Sequence, residues 1–263
     1  MKPAPDSRET MPIYYRARHA ELVYLARHAR AYPPHSHVSV YTAGFVLDGA
    51  MELQCDGENR LLRAGECFAM PPYMAHAIAP RDWVEMVTLC VPADIALGRA
   101  NISLADAIRG LFPLLAADGV KDMGERILRQ AGRLFSGDAQ CPRPPCCAYV
   151  VRLRHLLERQ PDATFAMRQW AKAAGVSQDQ LIRRFKREVG LTPHQFLLQN
   201  RIRKAQRLIE RGMPIADVAQ AAGFYDQSHF DKRFRYLVGL APREYRQAVR
   251  FAPARQSINT GQA

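Results

Sequence analysis

Hydrophobic residues in the first hundred positions come in short runs that are rich in β-branched and aromatic side chains. Turn-forming pairs such as Asp48-Gly49 and Pro71-Pro72 separate the runs. Short strands at this spacing predict an all-β sandwich or a small barrel. The predicted strands are Leu22–Leu25, Val38–Val46, Met51–Cys55, Arg60–Leu62, Cys67–Met70 and Val84–Val91.

From Leu104 onward the spacing of the apolar residues is typical of α-helices. Apolar residues recur three and four positions apart in Leu104–Leu115 and again in Ile127–Phe135, so each segment predicts an amphipathic helix that must pack against another surface. Three prolines and a glycine in Ser136–Pro145 predict a linker. The helical pattern resumes at Ala148, and the polar tail Pro253–Ala263 is expected to be disordered.

One pattern of small and apolar residues occurs twice after the linker, at an offset of 48 residues. Ala171–Gly175 and Ala219–Gly223 share an Ala-x-Ala-Ala-Gly block, and each block precedes a second helical pattern. A short helix, a glycine-containing turn and a second helix form a helix-turn-helix unit. Two such units predict a protein that reads duplex DNA.

The second helix of each unit has an inward apolar face and an outward polar or basic face. Ser177 and Asp226 are its predicted N-caps, because their side-chain oxygens can accept hydrogen bonds from the free amides of the first turn. The outward side chains are of types that bond to base edges or phosphates, which makes them the candidate DNA-binding residues. They are Asp179, Ile182, Arg183 and Lys186 in the first unit, and Gln227, Ser228, His229, Lys232 and Arg235 in the second.

A helix over His194–Arg211 is predicted between the units. At about 1.5 Å per residue it spans roughly 27 Å, so it holds the two second helices near the ~34 Å spacing of successive major grooves. The basic residues of this helix serve either phosphate contact or solubility. They are Arg201, Arg203, Lys204 and Arg207.

The net charge of +12 lies in the second half of the chain. Residues 146–263 hold 21 Lys and Arg against 9 Asp and Glu, which accounts for the whole excess and suits a polyanionic partner. The chain has no signal-peptide core and no apolar run of about 18 residues, so we expect a cytoplasmic protein without membrane contact. Cys141, Cys146 and Cys147 lie in the Pro-rich stretch, as part of a plain linker or as a zinc or redox sensor.

Over Ala148–Arg246 the chain resembles the AraC/XylS family of bacterial transcription regulators. The resemblance rests on Val176–Pro193 in the first unit, Asn200–Ala205 in the connecting helix and Ile215–Arg246 in the second unit. It implies sequence-specific binding to double-stranded promoter DNA, usually with RNA polymerase, and a homodimer formed through the helices between Leu104 and Phe135.

The same resemblance implies which positions read bases. They correspond to Asp179, Ile182 and Arg183, and then to Gln227, Ser228, His229 and Lys232. Because Asp and Ile are weak base readers, we expect the specificity of the first unit to rest mainly on Arg183.

Three histidines are the candidate functional residues of the N-terminal half. His35 and His37 lie two apart, which predicts one face of a strand, and His76 follows Pro71-Pro72. The pattern over Pro34–Ile78 is similar to the two motifs of the cupin (jelly-roll) barrel, a sensor domain in many AraC-type regulators. Cupin enzymes add a glutamate after the second histidine, where this chain has Tyr41 or Thr42, and Tyr73 stands where a glycine is expected.

These histidines leave three interpretations open. They bind Zn²⁺ or another divalent metal, bind a small organic effector together with Tyr41, or serve structure alone. For the whole chain, the leading hypothesis is a non-enzymatic, effector-responsive DNA-binding transcription regulator. The alternatives are a cupin metalloenzyme with a DNA-binding tail and a non-specific architectural DNA-binding protein. The predicted division is a sensing domain (1–103), a helical dimerisation and linker segment (104–145), a DNA-binding domain (146–250) and a tail (251–263).

Overall fold

The computed structural model describes residues 11–55, 57–136, 147–162 and 166–251. Residues 13–92 are rich in β-strand, and the described residues after them are helical apart from one short strand at the end. The predicted fold class is confirmed: an all-β cupin-like barrel precedes helices and an all-α region with two helix-turn-helix units. Cys141 and Cys146 lie outside the described residues, as do nearly all of the predicted linker and the tail from Pro253.

The described strands form one eight-stranded sheet. The hydrogen-bonded order is β5-β4-β7-β2-β1-β8, with β3 also paired to β7 and β6 to β4. All pairs are antiparallel except β1 with β8, which are parallel. The strands are β1 (Ile13–Arg16), β2 (Glu21–His28), β3 (Tyr32–His35), β4 (Val40–Cys55), β5 (Glu58–Arg63), β6 (Cys67–Met70), β7 (His76–Pro92) and β8 (Val249–Phe251).

The predicted turn at Asp48-Gly49 is a bulge within one long strand, β4. The register against β7 shifts between Val46 and Asp48 and again between Gly49 and Met51, and Gly49 has a φ of +75° that a side chain would strain. The bulge changes which alternate residues face the barrel interior. Val46 lies inward before it and Met51 after it, so β4 keeps one buried face along its length.

Two apolar cores lie on opposite faces of this sheet. The interior core contains Phe68, Met86 and their neighbours. The outer core lies between the sheet and four helices, where Ile108, Leu111 and Ile127 pack against Phe45 and Leu89. These helices are α1 (Ala93–Ala96), α2 (Leu104–Arg109), α3 (Phe112–Ala117) and α4 (Lys121–Ser136).

The apolar stripes of α2–α4 therefore pack on the chain's own barrel. Ile108, Leu115, Ile127 and Ala131 are each at most 2% exposed in the single chain. This burial accounts for the amphipathic pattern without a second protomer. A homodimer through this segment stays a prediction, and its contacts would have to use other side chains of these helices.

Seven helices form the described C-terminal region. The first unit packs around Phe185, Leu181 and Phe196, and the second around Phe230 and Phe234. The helices are α5 (Ala148–Arg159), α6 (Met167–Ala173), α7 (Gln178–Val189), α8 (Pro193–Glu210), α9 (Ile215–Ala221), α10 (Gln227–Val238) and α11 (Pro242–Ala248). No helix among the described residues is both long enough and apolar enough to cross a membrane. The predicted division of the chain into four segments stays a prediction.

The first strand joins the barrel to the second helix-turn-helix unit. β1 pairs with β8, which directly follows α11, and Tyr14 of β1 is buried in the core of the second unit. The Tyr14 hydroxyl donates to the carbonyl of Val238 at 3.1 Å. The Arg16 guanidinium pairs with Glu21 and with Glu210 and donates to the Tyr245 hydroxyl at 2.9 Å.

Replacing Arg16 with Met should destabilise the full chain by about 3 kcal/mol, because Glu210 would remain largely buried without its cation. The Glu210 side chain is only 14% exposed. Urea unfolding followed by circular dichroism measures the change at a constant denaturant slope.

Arg250→Met is the matched control for this measurement. Its partner Asp118 is 3.7 Å away and the pair is 44% and 31% exposed, so its loss should cost less than about 1 kcal/mol. Equal effects of the two substitutions would show that the Arg16 network does not stabilise the junction.

Candidate functional site

Helix α7 presents its polar face to solvent. Ser177 and Gln180 form a reciprocal capping box that fixes the start of the helix. Leu181 and Phe185 are buried and hold the inner face. Of the four residues predicted in this unit, Ile182 is half-buried and three are exposed, namely Asp179, Arg183 and Lys186.

Helix α10 repeats this arrangement. The predicted cap is confirmed, since the Asp226 carboxylate accepts from the backbone amide of His229 at 2.7 Å. Phe230 and Phe234 are fully buried beneath the helix. All five predicted residues of this unit are exposed, namely Gln227, Ser228, His229, Lys232 and Arg235. Neither second helix is hidden inside the molecule, so both faces are available to a duplex.

Helix α8 connects the units as an unbroken rod. Its 18 residues correspond to roughly 27 Å, and a Thr192–Gln195 capping box fixes its start. Its basic residues do not share one role. Lys204 pairs with Asp162 at 2.9 Å and Arg201 donates to the Pro161 carbonyl at 2.7 Å, whereas Arg203 points toward the barrel.

A cavity of about 410 Å³ lies between the barrel and α8. Its barrel wall includes Thr42, Phe68 and Cys90, and its helical wall includes Gln199 and Arg203. The side chain of Gln199 donates to the backbone carbonyl of Ser36 at 2.9 Å, and Arg203 donates to the same oxygen. The rod between the two helix-turn-helix units thus also forms one wall of this cavity.

The three predicted histidines meet in this cavity. β3 ends at His35, which pairs with His76 at the start of β7, while His37 lies in the loop after β3 rather than on the predicted strand. The ring centroids of His35 and His76 are 4.2 Å apart, and those of His37 and His76 are 5.3 Å apart. One nitrogen from each ring lies within 4.8 Å of the other two.

Backbone carbonyls fix the protonation of two of these rings. His35 Nδ1 lies 2.8 Å from the carbonyl of Pro33, and His76 Nδ1 lies 3.1 Å from that of Met74. A carbonyl only accepts, so each Nδ1 carries the hydrogen and each Nε2 of the neutral ring keeps a free lone pair. This carbonyl contact on the far nitrogen is usual for histidines that bind metal.

Burial keeps the three rings neutral. Desolvation lowers the pKa of His35 to about 4, and it lowers the pKa values of His37 and His76 well below 6.5. The positive charge of Arg203 lowers all three further. Neutral imidazoles with free Nε2 lone pairs are suitable ligands for Zn²⁺ or a similar ion. The residues therefore fit a divalent metal, with no carboxylate from the described residues in the cluster.

Tyr41 does not line this cavity, so the structure corrects its predicted place. It packs in the outer core, because alternate residues of β4 face opposite sides of the sheet. The neighbouring Thr42 faces the cavity instead, with its hydroxyl 3.6 Å from the Cys90 sulfur. Tyr73, at the position of the expected glycine, adopts the left-handed φ of +69° that glycine would favour.

Sequence reasoning did not assign Gln199 and Arg203 to this cavity. The only available signal was their spacing of four on a helix, which places both on one face. That face had no visible partner in the sequence, because its contacts are with the loop around Ser36, more than 160 residues earlier.

Two family models match the chain. A helix-turn-helix domain model matches residues 170–248, which include α7, α8 and α10. A cupin domain model matches residues 21–92, which include all three histidines.

Relatives that extend over most of the chain are named as transcription regulators. The chain is 25% identical to the probable transcriptional regulator LumQ of Photobacterium leiognathi, over 78% of this chain and 88% of that protein. It is 28% identical to the transcriptional activator NphR of a Rhodococcus species, over 79% of this chain and 70% of that protein.

Solved structures resemble the whole arrangement. ToxT from Vibrio cholerae, in a structure with bound unsaturated fatty acid, aligns with a TM-score of 0.54 and 12% identity, over 91% of this chain and 96% of ToxT. At this identity the likeness concerns the fold alone. The chain thus combines an AraC-type helix-turn-helix domain with a cupin domain on its N-terminal side, and the relatives that extend over most of its length are named as transcription regulators.

Proposed function

We propose that this protein is a sequence-specific DNA-binding transcription regulator whose promoter binding is modulated by a small effector in the cavity between the barrel and α8. One observation carries the proposal. The same helix that spaces two exposed recognition helices also forms a wall of the candidate effector cavity. A change in the cavity can therefore alter how the two units are presented to DNA. A role at promoter DNA implies a cytoplasmic protein.

Helices α7 and α10 would each enter a major groove. Arg183 is the strongest candidate for direct base recognition, because a guanidinium can bond to both acceptors of a guanine edge. Gln227, Ser228 and His229 would read bases in the second groove, with Lys186, Lys232 and Arg235 contacting bases or phosphates. The roughly 27 Å length of α8 suits successive grooves on one face of the duplex.

An effector would act by favouring one arrangement of barrel and rod. A ligand shifts such an equilibrium only if it binds one arrangement better than the other. Gln199 and Arg203 supply the difference here, since they line the cavity only while α8 lies against the barrel. The bound fatty acid of ToxT supports a small molecule as the effector in this fold.

A divalent metal ion is the inorganic candidate for the cavity. His35, His37 and His76 would hold it through their imidazole nitrogens, and the bound ion would supply a Lewis-acidic ligand position to an effector. The organic alternative is an effector that the same histidines bind by hydrogen bonds. We propose a regulator rather than an enzyme, because Tyr41 or Thr42 stands where the cupin enzymes have a glutamate. Homodimerisation and contact with RNA polymerase are proposed from the family alone.

The regulator differs measurably from an architectural DNA-binding protein. A regulator should prefer a duplex selected from a random pool over bulk DNA by about 10³-fold or more, measured by competition at fixed salt. An architectural protein would bind both equally.

Replacing Arg183 with Ala should weaken binding of the selected duplex by about 1–3 kcal/mol and relax preference at one base pair. The reason is the loss of a base contact rather than of a general charge. Gel-shift titrations of the full chain on single-base variants of the duplex measure both effects. Arg129→Ala, on the exposed face of α4, is the control and should leave binding unchanged. An equal loss on selected and random DNA would assign Arg183 to phosphate alone.

Changing His35, His37 and His76 together to Asn should remove stabilisation by Zn²⁺ while preserving binding of the selected duplex. A hundredfold excess of Zn²⁺ over its dissociation constant should stabilise the unmodified chain by about 2.7 kcal/mol, seen as a higher unfolding temperature. Stabilisation that persists in the triple variant would remove these residues from the metal site. No stabilisation of either chain would favour the organic effector.

A further inference from the structure

The wall of the cavity carries more positive charge than it balances. Among the described residues four arginines line it, and the single acidic one, Glu21, is already paired with Arg16. The arginines are Arg16, Arg18, Arg203 and Arg207. None of the other described lining side chains is a carboxylate that could balance these arginines.

Arg203 is the uncompensated charge nearest to the histidines. Its guanidinium donates to the Asn200 side chain at 3.0 Å and to the Ser36 carbonyl, both of which are uncharged. Within the described residues no carboxylate lies in ion-pair distance of it, and the acid that influences it most, Glu158, is paired with Arg154 at 3.6 Å. Burial lowers the pKa of Arg203 to about 10, so it stays charged at neutral pH.

Polar atoms beside Arg203 also lack partners. The side-chain oxygen of Gln199 and the hydroxyl of Ser36 are buried and make no hydrogen bond within the described structure. A buried hydroxyl without an acceptor destabilises the structure, and the Ser36 hydroxyl is able to donate to an anion. The Gln199 oxygen is an acceptor and requires a donor instead.

A metal ion alone would worsen this imbalance. The histidines contribute no negative charge, so a divalent ion would add two positive charges beside Arg203 in a partly desolvated cavity. A carboxylate would balance the charge of Arg203 and part of the charge of the metal ion. It pairs with a guanidinium in a fixed geometry and is also a common ligand of divalent metals.

We propose that the cavity binds a small organic carboxylate together with a divalent metal ion, with the metal on His35, His37 and His76 and the carboxylate on both Arg203 and the metal. This inference rests on the proposed function, since it names the class of its effector. Arg203 is then the residue through which the ligand joins the barrel to the rod between the two DNA-reading units. Metal and carboxylate must strengthen each other's binding by the same factor, because linkage is reciprocal.

The test measures Co²⁺ binding to the full chain by its visible absorption, with butanoate as the probe and butanamide as its uncharged counterpart. Butanoate should tighten Co²⁺ binding by about tenfold or more, within the usual range of coupling between sites, and butanamide should not. Calorimetry of butanoate with and without Co²⁺ should give the same factor. Equal Co²⁺ affinity in butanoate and butanamide would overturn the proposal, and so would butanoate binding that does not change when metal is removed.

Arg203→Gln should weaken the binding of butanoate to the Co²⁺-loaded chain by about tenfold or more. Without any carboxylate, this variant should bind Co²⁺ more tightly than the unmodified chain, because the repelling charge is gone. Arg201→Gln is the matched control, since it removes the same charge from the same helix outside the cavity. Arg203→Lys, which keeps the charge but not the planar fork, should retain part of the butanoate affinity. Unchanged butanoate affinity in Arg203→Gln would assign the carboxylate to another cation.

Duplex selection and gel shifts on the same preparations separate the two proposals. Specific DNA binding without coupling would contradict the effector class alone. Absence of any sequence preference would contradict the proposed function, whatever the cavity binds. Specific DNA binding by Arg203→Gln also shows that the variant is folded.

Discussion

The packing of α8 against three partners is the constraint on which the rest of the structure depends. Phe196 near its start is buried in the core of the first unit, and Ile202 and Ile209 are buried in the core of the second. A third side of the helix, at Gln199 and Arg203, lies against the barrel. Because an α-helix is stiff over this length, its position fixes both recognition helices at once. Any ligand that changes the third contact therefore acts on both units together.

The contacts of the three sides differ in kind. The two cores bury aromatic and aliphatic side chains and need no ligand to be stable. As far as the described residues extend, the barrel side holds one guanidinium without an acidic partner and one amide oxygen without a donor. Apolar packing of this sort contributes about 25 cal/mol per Å² regardless of what the cavity contains, whereas uncompensated polar groups leave the third contact weaker. The stability of the two units and the responsiveness of the junction thus come from separate parts of one helix.

The features that the sequence predicted correctly are governed by residues close together in the chain. The caps at Ser177 and Asp226, the buried phenylalanines of both units and the meeting of the three histidines depend on local spacing or on a motif. The incorrect predictions concern features that are determined by contacts between residues far apart in the chain. Asp48-Gly49 became a bulge because β4 pairs with β7 through it, and Tyr41 turned outward because helices α2–α4 cover that face. The parallel pairing of β1 with β8 joins segments more than 230 residues apart, which no local pattern can indicate.

Arg203 shows why the candidate site was only partly predictable. In the sequence it is one of four basic residues on an amphipathic helix, and composition assigns all four to phosphate or solvent. The fold gives two of them to Asp162 and Pro161 and turns Arg203 toward three neutral imidazoles. A cation placed beside metal-ligating nitrogens opposes a metal bound alone and favours a metal bound with an anion. The proposed class of ligand therefore follows from the position of Arg203 of one domain beside the histidines of the other. Neither sequence motif indicates it alone.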